Sequence, residues 1–251
     1  MKIFDSVGEW QARRQDFTAR PLGFVPTMGA LHQGHLSLVK TCTEQNALTV
    51  VSVFVNPTQF DDKRDFEKYP IDPRSDLQRL EAAGVDIVLM PDAKQIYRDE
   101  YRFKVTENDF SRRLCGAHRP GHFDGVLTVV MRLLNVVRPD NAYFGEKDFQ
   151  QLQLIRDMVD AFFMPVNIVA CPIVREADGL AMSSRNQLLD EAQRAKAPAL
   201  YAALKGSHSA DEARRKLAAD GFVVDYVEDL AHRRLAAARL GSTRLIDNVE
   251  I

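Results

Sequence analysis

Two histidines three residues apart, His32 and His35, follow a short apolar segment that is broken by Pro26-Thr27-Met28-Gly29. Apolar residues then recur at helical spacing, so the histidines lie where a buried strand is predicted to turn into a helix. The N–H groups and positive dipole end of a helix start favour an anion, and Gly34 would let that anion approach the backbone. Both imidazoles could donate hydrogen bonds to it. The pattern predicts a phosphate-binding turn, although a histidine here could instead cap the helix or pack.

Three further polar segments carry residue types that bind phosphate or small polar substrates. They are Asn56 to Gln59, then Gly145-Glu146-Lys147-Asp148 with Gln151 one helical turn later, and Ala181-Met182-Ser183-Ser184-Arg185. The lysine and the serine–arginine pair suit a triphosphate, and Asp148 could hold a magnesium ion that bridges its oxygens. Gln59 and Gln151 are uncharged and suit the hydroxyl and carboxyl oxygens of a small substrate. Taken singly, each segment could be an ordinary helix start, a turn or an exposed surface.

These segments follow strands in an alternating strand and helix pattern, which predicts an α/β fold with a Rossmann-like parallel sheet and helices on both faces. Strands are predicted at residues 22–25, 48–55, 85–90, 142–144 and 166–171. Helices are predicted from 35 to about 45 and at 72–84, 124–137 and 149–162. Ligands of an open parallel sheet gather at the carboxyl ends of the strands, where the strand order reverses. The polar segments are therefore expected to converge there.

The pattern changes after Pro172. Residues 174–185 are polar and lack a sustained period, which predicts a loop. Helices are predicted at 190–204 and 209–219, the second begun by a capping box of Ser209 and Glu212, and a strand is predicted at 223–227. We therefore predict a larger domain, residues 1–173, and a smaller α+β C-terminal domain, residues 174–251.

Composition excludes several classes of protein. The 251 residues carry a formal charge of −2, and the sequence pI is about 6.3, which argues against a nucleic-acid or membrane-surface protein. The three cysteines are odd in number and have no metal-ligand spacing, so we expect buried, reduced thiols. Because no apolar leader and no membrane-length apolar run is found, we expect a cytoplasmic protein with no membrane or nucleic-acid partner.

Several motifs closely resemble the pantothenate synthetase family. They are Pro-Thr-Met-Gly-Ala-Leu-His-Gln-Gly-His at 26–35, Phe-Val-Asn-Pro-Thr-Gln-Phe at 54–60, Arg-Pro-Gly-His-Phe-Asp-Gly-Val at 119–126, Phe-Gly-Glu-Lys-Asp-Phe-Gln-Gln at 144–151, and residues 174–186 and 241–248. The resemblance implies a cytoplasmic, homodimeric ligase that joins pantoate to β-alanine and converts ATP to AMP and diphosphate. It also implies a Rossmann-like domain, which would bind ATP and pantoate, and a smaller C-terminal lid.

The resemblance implies roles for individual residues as well. ATP would be bound by Met28, Gly29, Ala30, Leu31, His32, Gln33, Gly34, His35, Gly145, Glu146, Lys147, Asp148, Val174, Met182, Ser183, Ser184 and Arg185. The substrate pantoate would be held by Gln59, Gln151 and Asn56, and Asp148 would be a ligand of Mg²⁺. The catalytic residues would be His35, as proton donor, with His32, Lys147, Ser183 and Arg185. Tyr69, Pro70 and Asp76 match a family stretch near the active site.

These roles predict a reaction through a pantoyl adenylate, with residues 179–185 closing over the intermediate to exclude water. Two alternatives stay open. A nucleotidyltransferase that transfers AMP or CMP to a phosphate and stops there would share the two histidines. The chain could also be a tRNA-binding synthetase fragment or a noncatalytic nucleotide sensor. The two glutamines favour the ligase over the first alternative, and the near-neutral charge and intact lysine, serines and histidines favour it over the second.

Overall fold

The computed structural model describes residues 1–61, 66–67 and 69–251. Contacts divide the chain into two compact units. The first unit comprises Met1–Gly145 and Gln150–Cys171, and the second comprises Glu146–Phe149 and Pro172–Ile251. The short segment Glu146–Phe149 therefore groups with the C-terminal residues, although its neighbours on both sides in the sequence belong to the first unit.

A parallel sheet with the strand order β1-β4-β3-β2-β5-β6 forms the centre of the first unit. Its strands are β1 Lys2–Phe4, β2 Leu22–Thr27, β3 Leu48–Val53, β4 Ile87–Leu89, β5 Asn141–Gly145 and β6 Asn167–Cys171. The order reverses at β2, because β3 and β4 lie on one side of it and β5 and β6 on the other. The predicted fold class is thus confirmed. The sequence did not predict β1, whose first two residues are exposed and give no apolar run.

The strand β2 extends past its predicted end and includes Pro26. This proline pairs with Ser52 of β3, whereas the pairing of β2 with β5 involves only Gly23 and Phe24. Proline lacks an N–H donor and is tolerated where the ladder on one side has already ended. The prediction that Pro26 breaks the strand was therefore wrong.

Among the described residues, the helices of the first unit are α1 Val7–Arg13, α2 Gln33–Gln45, α3 Pro73–Ala82, α4 Ala93–Ile96, α5 Cys115–His118, α6 His122–Val137 and α7 Phe149–Ala161, of which Phe149 belongs to the second unit. The helices α2, α3, α6 and α7 lie close to their predicted positions, whereas the short helices α1, α4 and α5 were not predicted. The predicted start of α3 is confirmed, because the carboxylate of Asp72 accepts a hydrogen bond of 3.1 Å from the N–H of Ser75. Pro73 occupies the first helical position, where its missing N–H costs nothing.

Buried apolar residues of α2, α3 and the sheet pack into one cluster, which includes Val39, Val51 and Leu80. The three cysteines are buried, as predicted. Burial raises the pKa of the Cys42 thiol to about 12, so this side chain acts as a small apolar residue. None of the helices among the described residues is long and apolar enough to span a membrane.

The second unit contains three helices and a three-stranded antiparallel sheet, and two of the helices, Ala199–Lys205 and Ala210–Ala219, pack with the sheet in one core. The helices are α8 Glu191–Lys196, α9 Ala199–Lys205 and α10 Ala210–Ala219, and the strands are β7 Val223–Leu230, β8 Arg233–Leu240 and β9 Thr243–Glu250. The predicted helix 190–204 is two helices, because Pro198 between them has no N–H to donate. Of the predicted capping box, Ser209 caps α10, but the carboxylate of Glu212 accepts from the N–H of His208 instead of Ser209.

The sequence did not predict β8 and β9. The central strand β8 contains three consecutive alanines, Ala236, Ala237 and Ala238, which favour a helix in isolation. Pairing with a strand on each side fixes it as extended chain, and the small side chains of Ala236 and Ala238 pack with Leu200 and Leu217 of the helices. Tertiary contacts override the local preference here.

Candidate active site

The two histidines lie side by side at the start of α2, with ring centroids 4.1 Å apart. His32 is the N-cap, and its Nδ1 accepts a hydrogen bond of 3.1 Å from the N–H of Gly34. The Nδ1 of His35 accepts one of 3.4 Å from the N–H of His32. Because each Nδ1 is an acceptor, each neutral ring carries its hydrogen on Nε2, which is the nitrogen that could donate to a ligand. The capping and the chemical interpretations of these histidines are therefore compatible.

A buried carboxylate holds the segment that leads into these histidines. Asp76 of α3 is 3% exposed, and its two oxygens accept hydrogen bonds of 2.9 and 2.8 Å from the N–H groups of Ala30 and Leu31. The guanidinium of Arg79, one turn further along α3, donates to the carbonyl of Leu31. The N–H groups of Ala30, Leu31, His32 and Gly34 are therefore used within the protein. Anion binding at the start of α2 stays a prediction.

Gly29 is the residue that this arrangement requires. Its φ is +78°, a left-handed conformation that side chains rarely adopt, and an added Cβ would lie 2.8 Å from the Oδ2 of Asp76. We name residues 28–35 the histidine turn. Glycine at position 29 lets the histidine turn approach the carboxylate that fixes it.

Asn56 and Gln59 were both predicted to bind substrate, and in the structure the Asn56 side chain hydrogen-bonds that of Gln59. The amide Nδ2 of Asn56 donates hydrogen bonds of 3.0 Å to the Oε1 of Gln59 and 3.2 Å to the carbonyl of Gly125. Asn56 is 1% exposed, and its Oδ1 accepts a hydrogen bond of 2.6 Å from the hydroxyl of Tyr97. These bonds orient the Gln59 amide so that its other end, Nε2, is directed away from Asn56.

The motif at 119–126 holds the backbone of Gln59. His122 Nδ1 and Arg119 Nη2 lie 2.8 and 3.3 Å from the carbonyl oxygen of Gln59, and Arg119 also pairs with Asp61 at 2.8 Å. Burial acts to raise the pKa of Asp61, but the charge and hydrogen bond of Arg119 outweigh it and lower the pKa. A Cβ at Gly125 would lie 2.3 Å from the carbonyl oxygen of Thr58, so only glycine allows this approach. The sequence marked the motif but did not reveal this supporting role.

Gln151 differs from the glutamine before it. Gln150 is buried, and its amide bonds the carbonyls of Phe110 and Arg113 and the N–H of Cys115. Gln151 is half-buried. The structure thus assigns Gln150 to the core and leaves Gln151 as the glutamine of this pair that suits a ligand.

In the second unit, Glu146–Asp148 forms a single 3₁₀ turn, which we name the lysine turn. The Nζ of Lys147 lies 3.6 Å from the Oδ2 of Asp148, whose side chain is 46% exposed. Among the residues that the structure describes, no group of three or more His, Cys, Asp or Glu side chains could hold a metal ion. A magnesium ion at Asp148 would therefore need oxygens from a ligand, which fits the preference of Mg²⁺ for one or two carboxylates with phosphates and water.

The predicted loop at 174–185 contains a small hairpin. Arg175 and Ala181 form a β-bridge, and the N–H of Met182 donates to the carbonyl of Val174 at 3.0 Å. Ser183 then caps a 3₁₀ helix, Ser184–Leu188, by accepting a hydrogen bond of 3.3 Å from the N–H of Arg185. Ser184 is buried, whereas Ser183 is partly exposed. The hairpin thus presents Met182, Ser183 and Arg185 from a defined backbone.

The predicted site residues are distributed over both units. The first unit contains the histidine turn, Asn56, Gln59, Gly145 and Gln151, and the second contains the lysine turn, Val174, Met182, Ser183, Ser184 and Arg185. Sequence reasoning missed the residues that hold these groups in place. They are Arg79, Arg119 and His122 in the first unit, and Asp76 had been noted only for its resemblance.

Comparison with known proteins places the chain among enzymes. A family model described as pantoate-beta-alanine ligase matches residues 2–250. The pantothenate synthetase of Bdellovibrio bacteriovorus is 55% identical over 250 residues, which cover 100% of this chain and 99% of that protein. That of Legionella pneumophila is 46% identical, with 99% of each chain covered.

Solved structures agree with these relatives. The pantoate-beta-alanine ligase of Francisella tularensis, complexed with beta-gamma ATP and beta-alanine, superposes with a TM-score of 0.95 at 38% identity, covering 100% of this chain and 97% of that one. The pantothenate synthetase of Thermus thermophilus has a TM-score of 0.92 at 40% identity, with 100% and 99% covered. This chain belongs to the pantoate-beta-alanine ligase family.

Proposed function

We propose that this chain condenses pantoate with β-alanine to form pantothenate, using ATP and releasing AMP and diphosphate. The observation that carries this proposal is the similarity, over the whole chain, to the Francisella tularensis ligase complexed with beta-gamma ATP and beta-alanine. The side chains support it, because the sequence contains histidine, lysine, serine and arginine side chains that could donate hydrogen bonds to phosphate. It also contains uncharged glutamine amides that suit pantoate.

In the first step, a carboxylate oxygen of pantoate attacks the α-phosphorus of ATP, and the bond to diphosphate breaks. Negative charge grows on the phosphoryl and leaving oxygens. His32 and His35 would donate to these oxygens through Nε2, and Lys147, Ser183 and Arg185 would add donors and positive charge. His35 would be the proton donor. Donors fixed before the reaction stabilise the transition state without reorganising during it.

In the second step, the neutral amine of β-alanine attacks the acyl carbon of the pantoyl adenylate. A C–N bond forms, the C–O bond to AMP breaks, and the amine loses a proton. Adenylation is chemically necessary because oxide is a poor leaving group from a carboxylate, whereas AMP is a good one. No side chain acts as a nucleophile in this scheme, so we expect no covalent enzyme intermediate.

The nucleotide would be bound by the histidine turn, Gly145, the lysine turn, Val174 and residues 182–185. The amides of Gln59 and Gln151 would bind pantoate, and Asn56 would act on it by orienting Gln59. Asp148 would hold Mg²⁺ together with phosphate oxygens, and the ion would neutralise charge on the diphosphate. We also propose that residues 1–173 act as the ATP- and pantoate-binding domain and 174–251 as the lid. Family membership is our reason to expect a cytoplasmic homodimer.

The test is incubation with ATP, Mg²⁺, β-alanine and pantoate labelled with ¹⁸O in its carboxylate. We expect pantothenate and AMP in equal amounts, with one ¹⁸O transferred to each AMP. Formation of ADP, or of unlabelled AMP, would contradict the adenylate. Isolation of a pantoylated side chain would contradict the absence of a covalent intermediate.

A nucleotidyltransferase that stops after the first transfer is the competing function, since it would share the histidine turn. The two reactions differ in their need for an amine. Multiple turnovers of diphosphate release should require β-alanine for the ligase and should be independent of β-alanine for the nucleotidyltransferase, which would retain the transferred AMP in its product.

A further inference from the structure

The segment 241–248 resembles the family but has no role in the reaction described above. Its last residue, Asn248, lies on β9 and is 1% exposed. The amide Nδ2 of Asn248 donates hydrogen bonds of 2.9 Å to the carbonyl of Glu146 and 3.2 Å to that of Lys147. One buried side chain thus holds two consecutive carbonyl groups of the lysine turn, 102 and 101 residues away in sequence.

Arg233 of β8 completes this support. Its Nη1 donates a hydrogen bond of 2.7 Å to the Oδ1 of Asn248, which fixes the orientation of the amide. Its Nη2 pairs with the carboxylate of Glu146 at 2.8 Å, and the guanidinium lies 5.3 Å from the ring centre of Phe149. Arg233 therefore contacts the residue on each side of the pair Lys147 and Asp148.

The residue before Asn248 holds the other predicted phosphate-binding segment of the same unit. The carboxylate of Asp247 accepts hydrogen bonds of 2.7 and 2.9 Å from Arg175, whose Nη1 also donates to the carbonyl of Gly179 at 3.0 Å. The guanidinium of Arg175 stacks 3.9 Å from the ring centre of Tyr201. Asp247 thus holds the hairpin that leads to Ser183 and Arg185.

We propose that Asn248 and Arg233 are positioning residues for Lys147, and that Asp247 and Asn248 together set the spacing between Lys147 and the Ser183–Arg185 segment. The proposal rests on the proposed function. Two adjacent residues on one strand hold the two segments through hydrogen bonds of 2.7 to 3.2 Å, so the two groups of side chains that would bind phosphate share one support. A displacement of about 1 Å at a reacting group can cost about 10²-fold in rate.

The test is a double-mutant cycle. We expect Asn248→Ala to lower kcat about 10–100-fold, because the carbonyls of the lysine turn lose their donors. In the Lys147→Ala background the same substitution should lower kcat less than about threefold, since residues that act through one another are not additive. Equal losses in both backgrounds would show that Asn248 acts independently of Lys147 and would overturn the proposal.

Arg233→Ala provides a second route if Asn248→Ala does not fold, and it should follow the same pattern. The matched control is Arg239→Ala. Arg239 lies on the same strand, its side chain is 42% exposed, and its ion pair with Asp225 is 3.6 Å long. This control should leave kcat unchanged within about twofold. A comparable loss in Arg239→Ala would attribute the effect to the strand instead of the lysine turn.

Labelling separates this inference from the proposed function. The rate at which an amine-reactive reagent modifies the Lys147 side chain is measured by mass spectrometry in the absence of nucleotide. This rate should rise in Asn248→Ala and stay unchanged in Arg239→Ala. An unchanged labelling rate in Asn248→Ala would overturn the positioning role even if catalysis fell. If wild-type protein makes no pantothenate, the proposed function fails, while the labelling result still decides whether Asn248 positions the lysine.

Discussion

The histidine turn and the lysine turn are each held in place by one buried side chain that hydrogen-bonds two consecutive backbone groups. The side chain is an acceptor in the first case and a donor in the second. In the first unit, the carboxylate of Asp76 accepts two consecutive backbone N–H groups, those of Ala30 and Leu31. In the second unit, the amide of Asn248 donates to two consecutive backbone carbonyls, those of Glu146 and Lys147. Each supporting side chain is nearly fully buried.

The comparison shows how an irregular turn can hold reactive side chains at fixed positions. A turn lacks the regular ladder of hydrogen bonds that fixes a helix or strand, so its backbone needs partners from elsewhere. A buried side chain that satisfies two adjacent groups removes most of that freedom. The reactive side chains, His32 and His35 in one turn and Lys147 in the other, then project from a fixed backbone.

The largest expected effect comes from removing the reactive side chains themselves. His35→Ala and Lys147→Ala should each lower kcat about 10²–10³-fold, because each removes a donor to the transition state. AMP release measures the rate, and circular dichroism should show a folded protein. Lys40→Ala is the control, since the Lys40 side chain is 74% exposed on α2 and pairs with Glu44 in its own helix. Near-normal turnover of either variant would remove that residue from the proposed mechanism.

The support of the histidine turn should come next. Asp76→Ala leaves the buried N–H of Leu31 and the partly buried N–H of Ala30 without acceptors, at a cost of about 1–3 kcal/mol for the buried group, and should lower kcat about 10–100-fold. Urea unfolding and steady-state kinetics measure the two effects. Asp72→Ala, at the N-cap of the same helix, should cost about 1 kcal/mol and leave the rate unchanged. If both variants lost stability equally and neither lost activity, the proposed support would be wrong.

Two glycines with the same backbone conformation test how closely the turn approaches Asp76. Gly29 and Gly84 have φ of +78° and +77°, so alanine at either should cost about 1–2 kcal/mol. Only at position 29 would the added Cβ meet a neighbour, the Oδ2 of Asp76 at 2.8 Å; at Gly84 no atom lies within 4 Å. Thermal unfolding should therefore show the larger loss for Gly29→Ala. Equal losses would mean that the histidine turn moves aside easily.

The smallest expected effects are on the pH dependence of the free energy of unfolding. Asp61 of the first unit and Asp247 of the second should change it in opposite directions. The pKa of Asp61 is lowered because Arg119 outweighs the effect of burial. Its contribution to stability is present above the unfolded pKa and is lost as pH falls through the folded pKa. Burial raises the pKa of Asp247 despite Arg175, since that side chain is only 1% exposed. Its contribution is present below the unfolded pKa and is lost as pH rises through the folded pKa.

Urea unfolding at several pH values measures this contrast. Asp61→Asn should flatten the loss of stability at acid pH, and Asp247→Asn should flatten a loss that begins as pH rises above the unfolded pKa of aspartate. The same slope change in both variants would contradict the assigned directions.

Much of the fold follows from local patterns. The valines of β3, the Asp72-Pro73 start of α3 and the apolar period of α6 each depend on neighbours within a few residues, and each lies close to its predicted place. The errors occur where distant partners decide. The alanine-rich β8 is extended because it pairs on both sides, and Pro26 remains in β2 because the ladder to β5 has ended.

The same division holds for the candidate site. The types and spacing of its reactive residues, among them His32, His35 and Lys147, are properties of the sequence, because motif and capping chemistry act over a single turn. Only the tertiary structure decides three other features. Glu146–Phe149 belongs to the second unit, Asp76 accepts hydrogen bonds from backbone N–H groups of the histidine turn, and Asn248 donates to the lysine turn. These contacts join residues 45 to 102 positions apart, and no local pattern specifies which backbone group a buried polar side chain will satisfy.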